Sequence, residues 1–157
     1  MIQRIDQLRR IALSWNEAWN SRDVSRLTRF FAPESTFYEP SLAGPMPGAD
    51  GVTASAEKTW ADWPRAVFSP VTITVEDSRV IIEWRTSAAH RSGLQHLLEG
   101  VDILEVEADG DLVTSCRVYY DTRLEVPAAV KRVAGAGKRA ASPARRARGS
   151  KPPRGRR

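Results

Sequence analysis

The hydrophobic period of this chain changes once, near Pro64, and that change limits the fold more than any motif does. Before it, apolar residues return every three to four positions. After it they alternate, as in Val71-Thr72-Ile73-Thr74-Val75. Ile5, Leu8, Ala12, Trp15 and Trp19 predict an amphipathic first helix with a heavy aromatic end. Ser21 or Asp23 can cap a second helix that turns Val24, Leu27, Phe30 and Phe31 inward. It should stop at Pro33, because the residue before a proline is pushed out of the helical region. Thr36 to Glu39 reads as a short strand, and Pro40 to Gly51, with three prolines and three glycines, as a loop long enough to rim a pocket. Val52, Ala56, Trp60 and Trp63 align on a third helix that begins after Asp50-Gly51 and ends at Pro64.

Val71 to Val75, Val80 to Ser87, Leu97 to Glu107 and Leu112 to Glu125 then follow as strands. A run of helices before a run of strands predicts an α+β domain, with the helices packed on one face of a curved, mainly antiparallel sheet. Charge marks where that domain should end. Ala128 to Arg157 carries eleven basic residues and no acid, whereas Met1 to Pro127 carries thirteen basic and nineteen acidic residues. The C-terminal stretch has little apolar mass to offset ordering entropy, and its like charges repel. We therefore expect a domain over 1–127 and a disordered basic tail over 128–157. Such a tail can contact nucleic acid or another polyanion non-specifically. It has no aromatic residue for base stacking, so the contact would be salt-sensitive.

Cys116 is the single cysteine, which excludes an intrachain disulfide. The charged N-terminus and the lack of a long apolar run give a cytoplasmic expectation, with no membrane contact. His90 and His96 flank Gly93 without a third ligand in motif spacing, so they are placed at the surface and no metal site is expected.

Two acids interrupt otherwise apolar strands. Glu39 lies in Phe37-Tyr38-Glu39-Pro40 and Asp102 in Val101-Asp102-Ile103-Leu104. Burying a carboxylate costs several kcal/mol unless it is neutralised, paired or used, so these are the candidate catalytic residues. An apolar wall from Phe37, Tyr38, Trp60 and Trp63 would raise the pKa of Glu39 toward that of a general base. If Asp109-Gly110 forms a two-residue hairpin turn, Asp102 faces Arg117 and shares a side with Leu104, Val106, Val113, Ser115 and Tyr119. A three-residue turn brings Val118 opposite Asp102 instead. Arg117 paired with Asp102 could orient a carbonyl-bearing or anionic ligand.

Trp19-Asn20-Ser21-Arg22-Asp23, Phe30-Phe31-Ala32-Pro33-Glu34-Ser35 and Val106-Glu107-Ala108-Asp109-Gly110-Asp111-Leu112 resemble the nuclear-transport-factor-2-like superfamily, in particular its SnoaL-like, polyketide-cyclase-like branch. The resemblance spans roughly Ile5 to Val126. It implies a cone-shaped, cystatin-like fold with a hydrophobic pocket, and a homodimer formed through the outer face of the sheet. Steroid delta-isomerases of that superfamily are similar at Glu39, which precedes Pro40 as their base precedes a proline. They are similar also at Asp102, in the place of their hydrogen-bond-donating acid. They differ at Trp15, where the isomerases have an oxyanion-binding tyrosine, and at Arg117, which would keep Asp102 ionised.

The expected function is binding of a small, largely apolar molecule, with cofactor-independent acid/base isomerisation, cyclisation or dehydration. Glu39 and Asp102 are then catalytic; Trp15, Tyr38, Trp60, Arg117 and Tyr119 bind substrate; Asp121 is held in reserve, because an aspartate near this strand end does acid/base work in related cyclases. The competing reading is a non-catalytic ligand-binding or dimerisation module whose basic tail meets a polyanion.

Overall fold

The computed structural model describes residues 2–122. The expected tail over 128–157, and the end of the last predicted strand, lie outside the described residues. The elements run α1 (Ile2–Ser21), α2 (Val24–Thr28), β1 (Phe31–Tyr38), β2 (Met46–Pro47), α3 (Gly48–Asp62), β3 (Ser69–Glu76), β4 (Arg79–Ala89), β5 (Gln95–Val106) and β6 (Val113–Tyr120). This is the α+β arrangement expected from the change of period.

The strands form one six-stranded sheet in the order β2-β1-β6-β5-β4-β3. All neighbours are antiparallel except β1 and β6, which run parallel. The helices cover one face. Val80 and Ile82 of β4, Leu104 of β5 and Cys116 of β6 point into that side and meet Leu8, Ala12 and Trp15 of α1 in the main core. Helix α3 lies unusually close to β1. A Cβ at Gly51 would sit 2.8 Å from Phe37 Cβ, so only a bare backbone allows the approach.

Three local expectations are corrected. Asp23 does cap α2, accepting a 2.9 Å bond from the Ser25 backbone N–H, but the helix ends at Thr28. Phe31 and Pro33 belong to β1, where the register to β6 shifts between Phe31 and Thr36. A proline tolerates such an irregular edge because it has no N–H to give the ladder. The third helix begins at Gly48, four residues before the expected start at Val52, and a two-residue strand precedes it.

The decisive correction concerns the register of β5 and β6. Val106 pairs with Val113, as a tight turn at Asp109-Gly110 requires, but the register then shifts, and Glu105 pairs with Ser115. Thr114 is the extra residue of a β-bulge. Beyond it Asp102 faces Val118, while Arg117 faces Ile103. A one-residue slip exchanges the two faces of a strand. Ser115, Arg117 and Tyr119 therefore leave the side of Asp102, and Cys116, Val118 and Tyr120 take their place.

Candidate active site

Asp102 sits on the helix-covered face of β5, 5% exposed. Each carboxylate oxygen accepts one indole hydrogen bond: Trp15 Nε1 donates to Oδ2 at 2.8 Å and Trp84 Nε1 to Oδ1 at 2.7 Å. Burial pushes the pKa up to about 6, against the opposing effect of the two indole donors. Asp102 thus titrates close to neutrality. Among the described residues no cation pairs with it, since Arg117 points the other way and binds Glu105 at 3.3 Å.

Several local features bring these indoles to one carboxylate. Trp84 pairs with Gly100 across the β4–β5 ladder, and any Cβ at Gly100 would overlap three atoms of its ring. The missing side chain is the slot in which the indole lies. Phe68 is fixed by Asn20 at the end of α1, whose amide donates to Phe68 O and accepts from Phe68 N, both at 2.8 Å. Arg22, in the left-handed region at φ 57°, donates to Trp63 O at 3.2 Å. Trp63 is braced from outside by His90 and His96, with ring centroids 4.9 and 5.5 Å away. The two histidines, expected at the surface, are therefore half-buried supports of the site wall.

Together these residues shape a hollow of about 70 Å³, open on one side, lined by Trp15, Trp19, Trp63, Phe68, Trp84 and Asp102, with Asn16, Thr59, Tyr120 and Asp121 around them. A water needs about 10–15 Å³ of such space, so the hollow admits about five groups of that size. Trp19 Nε1 is buried without a hydrogen-bond partner. Trp15 was expected to bind substrate, but its N–H is committed to Asp102. Trp19 thus keeps a buried indole donor unspent.

Glu39 is equally buried, 2% exposed, but does not line the hollow. Its carboxylate accepts hydrogen bonds from the hydroxyls of Tyr120 and Ser41 and, at 3.2 Å, from the Ser41 backbone N–H. Tyr120 thus stands between the two acids, in contact with Glu39 and in the wall that holds Asp102. Trp60 lies one layer behind, edge-on to Trp19 at 6.1 Å. Tyr38 and Tyr119 meet at a tilt of 56° with ring centroids 6.0 Å apart, and Tyr119 lies on the outer face of the sheet, 45% exposed. Of the expected site residues, then, Trp15, Asp102 and the reserve candidate Asp121 line the hollow; Tyr38, Trp60, Arg117 and Tyr119 do not. Trp84 and Phe68 escaped the sequence reading, because their roles need the Gly100 slot and the Asn20 clamp. The one available signal was a glycine inside a strand pattern.

The sequence signature of the SnoaL-like domain matches residues 12–115, more than half of the chain. The chain belongs to the SnoaL-like domain family. No curated protein matches it. Solved structures agree on the fold. One is a protein from Catenulispora acidiphila with a ketosteroid isomerase-like fold, solved in complex with trimethylamine: it is 19% identical, with 71% of this chain and 85% of that one covered and a TM-score of 0.63. An NTF2-like protein of unknown function from Burkholderia pseudomallei is 17% identical over 76% of this chain and 94% of its own, with a TM-score of 0.67. A protein described as a SnoaL-like polyketide cyclase, from Jannaschia sp. CCS1, is 14% identical over 76% and 89%, with a TM-score of 0.66. At these identities the likeness shows the SnoaL-like and NTF2-like fold, and function rests on the site.

Proposed function

We propose that this SnoaL-like domain binds a compact small molecule, or the head of a longer one, in the hollow above Asp102 and exchanges a proton with it without a cofactor. The observation that carries this reading is the Asp102 carboxylate. It is buried at the hollow, oriented by two indole donors, and titrates at about 6, where a group can both accept and return a proton at neutral pH. Trp19 Nε1 supplies a donor for an oxygen on the ligand. Glu39 acts through Tyr120, holding the phenol in the wall. Trimethylamine, held by the Catenulispora protein, is of the size that fits.

The test is α-proton exchange of small ketones and enones in D2O, followed by NMR. The rate should rise as pH passes through about 6, because the base is the ionised form. Asp102→Asn should lower it about 100-fold or more. Native-state binding should also raise the unfolding midpoint by mass action. If ligands raise the midpoint while no carbonyl compound exchanges faster than in buffer, the domain is a non-catalytic binding module.

We further propose that the outer face of the sheet, where Val71, Leu97 and Tyr119 are exposed, pairs with a second copy of the chain. The basic residues of 128–157 are proposed to contact polyanions through charge alone.

A further inference from the structure

The geometry points to a cationic ligand: the hollow is built to hold a compact alkylated ammonium group. This rests on the reading of the hollow as a ligand site and adds the charge of what it takes. Three features of the hollow favour a ligand that carries such a cation over a purely apolar one.

First, Asp102 is a buried carboxylate with no cationic partner among the described residues, and an uncompensated buried charge is costly. A positive ligand supplies the missing counter-charge. Second, the walls are aromatic and turned against one another. Trp15 and Trp19 meet at 82°, Trp19 and Phe68 at 61°, and Phe68 and Trp84 at 86°. Rings that meet edge to face form the adjoining sides of a box, and the electron-rich face of an indole is the best aromatic surface for a cation. Third, the donor edges of Trp15 and Trp84 are spent on Asp102. They hold those indoles to the carboxylate and leave their N–H groups closed to a ligand acceptor. An alkylated ammonium needs little hydrogen bonding, fits a space of about five water-sized groups, and meets both the π surfaces and the carboxylate.

Choline and 3,3-dimethylbutan-1-ol have the same shape and differ in charge, so they separate charge from size. Calorimetric titration of the full chain should show choline binding about tenfold or more tightly than the neutral alcohol, with tetramethylammonium competing for the same site. Asp102→Asn should bring the two probes to near parity. Trp19→Phe, which keeps a ring and removes the N–H, should retain the preference, while Trp19→Leu should weaken choline several-fold. These two variants keep the test decisive should Asp102→Asn fail to fold. Equal binding of choline and the alcohol overturns the inference and leaves the small-molecule pocket standing. Failure of both probes overturns the inference, and a failed carbonyl-compound screen alongside it would remove the ligand site as well.

Discussion

At Asp102 burial and hydrogen bonding oppose one another, and burial wins. The pKa rises from an ordinary value near 4 to about 6, which corresponds to about 3 kcal/mol. An acid whose folded pKa is raised contributes most below its unfolded value and loses that contribution as pH climbs through the folded one. The wild-type chain should therefore lose stability between about pH 4 and pH 6 relative to Asp102→Asn. Urea unfolding of both proteins at pH 4 and pH 7 should show the gap shifting by up to about 3 kcal/mol in favour of the variant. An unchanged gap would mean that the carboxylate is well hydrated. Gly100 makes a second prediction at this scale. Its replacement by Ala forces Trp84 from its slot and should cost about 1–3 kcal/mol through overpacking. The same variant should lose the ligand-induced rise in the unfolding midpoint, since Trp84 can no longer reach Asp102. Cys116 is fully buried and its thiol is pushed well above its ordinary range, first by burial and then by the nearby Asp102. It should resist alkylation until the protein unfolds.

Among the elements, the last two strands separate what patterning can specify from what it cannot. Alternation located β5 and β6, and Asp109-Gly110 located the turn between them. The pairing next to the turn, Val106 with Val113, follows from that turn. The bulge at Thr114 does not follow, because an extra residue leaves the alternation on either side intact while exchanging which side faces the core. Hence Asp102 met Trp15 and Trp84 rather than Arg117. The parallel pairing of β1 and β6 was equally hidden, since it joins segments far apart in sequence and has no turn to announce it. The N-terminal helices were more legible. Even so, the role of Asn20 emerges only where α1 meets Phe68. Asn20→Ala removes two hydrogen bonds to one residue and should cost about 1–2 kcal/mol. Faster hydrogen exchange at the Phe68 amide would identify that clamp as the source. A cost without such a change would place the effect in the helix.

Across the whole molecule, the sheet has one face closed by helices and another carrying apolar residues among ion pairs. On the open face Arg79 and Arg117 both meet Glu105, and Arg85 meets Glu99. Tyr119→Arg should shift sedimentation of the proposed dimer to the monomer with little change in unfolding, because Tyr119 contributes nothing to the core. Truncation after Pro127 should leave thermal unfolding nearly unchanged and abolish polyanion binding at low salt, and binding retained by the shortened protein would count against that role for the tail. No helix among the described residues is long and apolar enough to cross a membrane. By itself the sequence determined the class of fold, the order of its layers and the presence of two acids in apolar strands, because periodicity and the cost of burying charge act locally along a chain. Only tertiary structure decided which acid faces the hollow and what surrounds it. A bulge at one residue set the face of Arg117, a bare glycine let an indole lie across its neighbour, and neither effect is felt until strands are side by side.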